Sequence, residues 1–169
     1  MLKFSSDQIV DCLMSAKNPN AAIKNFLKKE VQGADALAAA RFAKELRDIF
    51  ATRHRATREN IKTFIEAHLP EYENHLLCIA RYAHFDVVQL TAEQVTSKFA
   101  EDFNATYEVK DKEISISDPA TFKKISKETI KAVDKAVKDS GRQGGDFLRN
   151  VMLASIFDRE VLQHIMLEL

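Results

Sequence analysis

Residues 106–117 read TYEVKDKEISIS, and here the chain leaves the helical period it keeps on either side. Tyr107 and Val109 alternate with polar residues, as do Ile114 and Ile116, and the charged tetrad Lys110-Asp111-Lys112-Glu113 separates the two runs. A period of two with β-branched and aromatic residues on one side is the pattern of a half-exposed β-hairpin. The turn lacks the Asn-Gly or Asp-Gly pair that best marks a two-residue hairpin loop, so the alternation alone carries the assignment.

Working outward, every other periodic segment is helical. On the C-terminal side, Asp118-Pro119 supplies an N-cap followed by proline at the first helical position. The helix it opens carries Phe122, Ile125, Ile130, Val133 and Val137, and SGRQGG at 140–145 ends it. Residues 146–169 form the last helix, with Asp158 as its candidate break. On the N-terminal side, Ser5 with Gln8 makes a capping box for a helix to about Lys17, which Asn18-Pro19 stops. A second helix with Ile23, Phe26 and Leu27 on one face ends near Gly33. The stretch ADALAAARFAKELRDIF, 34–50, is rich in strong helix formers and presents Ala39, Phe42, Leu46, Ile49 and Phe50 together. Thr57 caps a fourth helix carrying Ile61, Phe64 and Ile65, which Pro70 is expected to close. A fifth carries Tyr72, Leu76, Ile79, Ala80 and Ala83, and Thr91 with Gln94 caps a sixth that ends near Asn104. The expected fold is therefore mainly α: an irregular orthogonal bundle of seven or eight helices with one small hairpin, built as a single domain over residues 1–169.

Composition narrows the function classes. The 25 basic and 25 acidic side chains cancel, which removes any global attraction to polyanions. Charge is nevertheless segregated: residues 34–70 and 119–145 are net basic, and residues 71–104 are net acidic. Two cysteines, Cys12 and Cys78, form no spaced pair, so neither a zinc motif nor a redox motif is present. The N-terminus lacks a signal-peptide core, and no uncharged run reaches the roughly 20 residues needed to span a bilayer. A cytoplasmic chain with no membrane, metal or cofactor is the expectation.

Three constellations bear on chemistry. IFATRHRATREN, 49–60, gathers Arg53, His54, Arg55 and Arg58 at a break between helices. Arginine forks suit phosphates, and Arg41, Lys44 and Arg47 extend the footprint along the preceding helix. Against that reading, Glu45, Asp48 and Glu59 interrupt the cluster, and cations after Phe50 also suit a helix C-terminus. A solvated junction whose arginines are answered by the acidic 71–104 segment fits better. Glu71, His75, Cys78 and Tyr82 recur at helical spacing, so one stripe collects a carboxylate, an imidazole, a thiol and a phenol. A reactive thiolate or a zinc site needs such groups, although further ligands are confined to the scattered His54, His68, His84 and His164. A half-buried stripe beside an apolar face accounts for the same residues. SGRQGGDFLRN, 140–150, lacks the Gly-Lys-Ser/Thr of a phosphate loop and follows a helix, so it reads as a flexible interhelical turn with Asp146 as N-cap.

The last segment is the most apolar: 14 of the 24 residues in 146–169 are apolar, on more than one side of the helix. Such a helix either runs through the core or keeps part of its surface for a partner. Leu162, Ile165, Met166 and Leu169, which continue the stripe to the final residue, are the candidate partner-binding set. The first functional expectation is thus a non-enzymatic protein-interaction module (an adaptor, inhibitor or effector) that uses this helix and the charge-segregated faces to bind a protein partner or a second copy. The second is a nucleic-acid-binding regulator using the basic segment 41–62, with Arg53, Arg55 and Arg58 as its patch. The third is an enzyme or metal site on the helix containing Glu71, His75 and Cys78; no catalytic residue is assigned.

Overall fold

A computed structural model of the chain describes the backbone of residues 5–168, the side chains of Ala100, Asn104, Arg159 and residues 166–168 excepted. Eight helices lie among the described residues, α1 Ser6–Met14, α2 Pro19–Lys29, α3 Ala36–Ala51, α4 Arg58–Ala83, α5 Phe85–Asn104, α6 Pro119–Ser140, α7 Gly145–Ala154 and α8 Arg159–Glu168. An antiparallel hairpin of β1 Tyr107–Lys110 and β2 Glu113–Ile116 separates α5 from α6. The protein is mainly α with one small hairpin, as the periodicity indicates. The residues group into two compact units, one of residues 5–85 with 142–148, the other of residues 86–141 with 149–168.

In the N-terminal unit α1 and α2 both pack along α4, and α3 packs on α2 and α4. Ile9 and Leu13 of α1, Ile23 and Phe26 of α2, Phe42 and Leu46 of α3 and Ile61, Ile65, Leu76 and Ile79 of α4 form its core. Caps set the helix starts. Ser5 Oγ accepts from Gln8 N while Gln8 Oε1 accepts from Ser5 N at 2.9 Å, the reciprocal capping box. Asn18 and Thr57 cap α2 and α4 through their side-chain oxygens.

One helix boundary matches expectation closely and one differs. Two residues after Pro70 the backbone leaves helical geometry at Tyr72 (φ −115°, ψ 22°), so α4 consists of two helical segments joined across a kink, close to where the sequence ends one helix and starts the next. Proline inside a helix costs about 3 kcal/mol through a lost N–H and a steric clash. Rings offset part of that. Tyr72 stacks on Phe42 of α3 at 4.3 Å and 4°, Phe64 stacks on the same ring at 5.5 Å, and His68 lies 4.2 Å from Phe64, each aromatic pair contributing about 0.5–1.5 kcal/mol beyond burial. Thr91 and Gln94 cap nothing, because α5 already starts at Phe85 and Thr91 is buried within it. The last apolar segment does break before Asp158, into α7 and α8.

In the C-terminal unit Phe103, fully buried, sits at the centre of a ring cluster with Tyr107, Phe122 and Phe157. α8 packs on β2 and α6. The hairpin pairs Val109 with Ile114 and Tyr107 with Ile116, all four half-buried on one face. Its two-residue turn holds Asp111 at φ 52° and Lys112 at φ 65°. Positive φ at both central positions is the type I′ geometry, which matches the strand twist and favours Asn-Gly or Asp-Gly. Lys112 adopts a conformation that costs an ordinary residue about 1–2 kcal/mol. Lys112→Gly should therefore raise stability in urea titration by roughly 0.5–1 kcal/mol, the relief of strain outweighing the added chain entropy, whereas Lys112→Val should lower it; the reverse order would show that the turn is not strained.

Candidate functional site

The basic junction is closed by its own backbone. Thr52 Oγ1 donates to Asp48 O at 2.8 Å, Arg55 N donates to Thr52 O, and Asn60 Nδ2 donates to Arg55 O. Arg53, His54 and Arg55 are exposed around this turn. Arg58 is differently placed: it starts α4 and reaches α1, where it donates to Asp7 at 3.0 Å and to Asp11. Lys62, one turn on, also meets Asp7 at 3.2 Å. The carboxylates that answer the stretch thus come from α1 and not from residues 71–104, because α1 packs along α4. The hydrogen bond from Lys62 foremost, with Arg58 adding to it, holds the Asp7 carboxyl below the ordinary carboxylate range against a smaller opposing effect of burial. A lowered carboxyl favours the folded state above its ordinary value of 3.8 and loses that contribution as pH falls through the lower, folded value. In an NMR titration of the carboxyl groups, Arg58→Gln with Lys62→Gln should return Asp7 to the ordinary range, and Arg53→Gln with Arg55→Gln should leave it where it is; an unmoved Asp7 in the first variant would remove the α1–α4 ion cluster from the account.

The stripe on α4 is divided. Glu71 is exposed. His75 is half-buried among rings, edge-on to Phe26 at 5.7 Å and to Tyr72 at 5.4 Å, with Nδ1 buried and unpaired. Burial lowers its pKa from the ordinary value, so the neutral ring is favoured. Cys78 accepts from Arg81 Nη2 at 3.6 Å, and Tyr82 donates to Glu30 Oε1 at 2.5 Å, an oxygen that Arg81 also contacts at 3.1 Å. Burial pushes the Cys78 thiol up to about 11, the opposite of activation. Among the described residues no group of three His, Cys, Asp or Glu side chains could hold a metal ion. Cys12 is pushed up further, to about 12, by deeper burial. Iodoacetamide should accordingly alkylate Cys78 slowly at neutral pH and Cys12 more slowly still, with both rates rising steeply in alkali; rapid neutral labelling of Cys78, read by mass spectrometry, would restore the reactive-thiol reading.

The SGRQGG turn is packed where the sequence suggests flexibility. Gly144 has φ +104°, and a Cβ there would lie 2.5 Å from Cys12 Cβ, so only glycine fits against α1. Arg142 Nη1 donates to Nδ1 of the fully buried His84 at 3.0 Å, and His84 Nε2 donates to Cys12 O at 2.6 Å. Since a guanidinium can only donate, Nδ1 must carry the lone pair, which defines the neutral Nε2–H tautomer. Asp146 lies inside the first turn of α7, where it accepts from Gln8 Nε2 at 3.5 Å, instead of capping it. No spacing in the sequence marks His84 for this role; its partners are far away in the chain.

Of the candidate partner-binding set, Leu162 and Ile165 are each 1% exposed and belong to the core of the C-terminal unit, as do Leu153, Phe157 and Val161. The side chain of Met166 and all of Leu169 lie outside the described residues.

The strongest surface feature is on α6. Lys124, Lys127, Lys131, Lys135 and Lys138 recur at spacings of three and four and are all exposed, opposite the buried Phe122, Ile125, Thr129 and Val133. Lys135 pairs with Asp139 at 3.0 Å, and Asp134 is drawn to Arg149 at 3.5 Å. The other four lysines have no ion partner among the described residues. Like charges at i,i+4, such as Lys127 with Lys131 and Lys131 with Lys135, disfavour a helix by about 0.2–0.5 kcal/mol a pair. Beside the stripe an open groove of about 240 Å³ runs between α6 and α5, with Val95, Phe99, Ala132 and Ala136 as its apolar lining and Lys98 and Lys135 on its flanks.

No protein-family model, curated protein or solved structure matches this chain. No helix among the described residues is long and apolar enough to cross a membrane.

Proposed function

We propose that this chain is a non-enzymatic protein-interaction module that binds an acidic protein surface through the outer face of α6. The observation that carries the reading is the single-sign row of exposed lysines, Lys124, Lys127, Lys131, Lys135 and Lys138. Neighbouring lysines in the row repel one another where Glu128, Asp134 and Asp139 do not answer them, and a carboxylate surface would convert that repulsion into attraction and speed association. The apolar groove alongside supports a protein partner over a nucleic acid, since a phosphate backbone offers nothing to Val95, Phe99, Ala132 and Ala136. At the other candidate patch, Arg58 already serves Asp7 and Asp11, which weakens the nucleic-acid reading of residues 41–62.

Fluorescence anisotropy with labelled poly-L-glutamate and with labelled duplex RNA tests the proposal. Polyglutamate should bind in a salt-sensitive way and lose at least tenfold in affinity when Lys124, Lys127, Lys131 and Lys138 are changed to Gln, with RNA bound more weakly throughout. Tighter binding to RNA, or polyglutamate binding indifferent to the four substitutions, would overturn it.

A further inference from the structure

We infer that the acidic surface met by α6 is α5 of a second copy of this chain, so that the two helices on either side of the groove pair reciprocally with their counterparts across a twofold axis. The inference rests on the reading of α6 as a carboxylate-binding face and names its partner. The complement is on the same unit. Leu90, Glu93, Ser97 and Glu101 recur at spacings of three and four and are all exposed, so both glutamates lie on one outer face of α5, the helix that forms the groove's other wall. Leu90 is 56% exposed, a large apolar side chain within that stripe.

A twofold axis over the groove makes the pairing self-consistent. α5 of one copy meets α6 of the other, and the same contact is repeated in reverse, as an isologous interface requires. Glu93 and Glu101 then face the partner's lysines twice over, and Leu90, on the same stripe, lies against the partner's α6. Ala132 and Ala136, small and half-exposed, leave room for a side chain to enter between the helices. The face is modest: a helix of 20 residues is about 30 Å long and two side by side are about 20 Å wide, which gives roughly 600 Å² a copy, about the lower limit for a specific interface. A weak, reversible and salt-sensitive dimer follows from that area and from five lysines set against two glutamates.

Sedimentation equilibrium of the full chain, from low to high micromolar concentration and at two salt concentrations, tests this. The mass should rise from monomer toward dimer, less so at high salt. Lys127→Glu with Lys131→Glu, and separately Glu93→Lys with Glu101→Lys, should each weaken association at least tenfold while keeping the helical circular-dichroism spectrum and cooperative unfolding of the parent. Mixing the two variants in equal amounts should restore a dimer, because one of the two reciprocal contacts is then complementary with its signs exchanged. Wild-type chain that stays monomeric throughout, or a dimer that both reversals leave intact, would overturn the inference. So would two folded variants whose mixture remains monomeric. Polyglutamate binding by a chain that never self-associates would sink only the second-copy assignment and leave the acidic-partner proposal standing.

Discussion

The N-terminal unit depends on the two segments of α4 holding a fixed relation across the kink at Tyr72. α1, α2 and α3 share α4 as their common partner, and each covers part of the face that runs from Ile61 to Ile79. Without contacts at the kink, the segments before and after it would present two short apolar faces with no fixed relation. The kink is tolerated because rings gather there: Phe42 from α3 lies against Tyr72 and Phe64, and His68 Nδ1 donates to Phe64 O at 2.7 Å. Several small contributions thus offset part of one large local cost.

The polar interior follows a similar logic of close pairing. A buried imidazole without partners costs free energy, and His84 avoids that cost by donating to Cys12 O and accepting from Arg142. Gly144 permits the approach, since its backbone lies against Cys12 where any side chain would collide. His75 is the contrasting case, with Nδ1 buried and unpaired among rings. Its lowered pKa means that the unfolded chain binds the proton first as pH falls below 6.5, so this residue works against the folded state in acid.

The surface of α6 contrasts with these held groups. The groups that suggest chemistry in the sequence, Cys78, His75 and Arg58, are held by packing or by this chain's own carboxylates. The lysines of α6 are held by little. They lie on the face away from the core, next to an apolar groove whose other wall is the net acidic α5, and the proposed partner surface follows from that contrast.

By itself the sequence determined what is settled within a few residues. Ser5 with Gln8, Thr57 and Asp118 start helices because a side-chain oxygen finds a backbone N–H three residues on. Tyr107, Val109, Ile114 and Ile116 set the hairpin register because a period of two puts all four on one face. The spacing of the α6 lysines likewise defines a stripe, since steps of three and four residues return to the same side of a helix. Tertiary structure decided the rest. Pro70 marked the break near Tyr72 because proline's cost is local, whereas the rings of Phe42 and Tyr72 that hold the two segments together meet only after folding. Arg58 found Asp7 at a separation of 51 residues, and His84 found Cys12 at 72. Periodicity identified Leu162 and Ile165 as apolar, but it could not say what would cover them. Only the packing of α8 on β2 and α6 did that, because hydrophobic burial is non-directional and takes whichever surface the fold brings near.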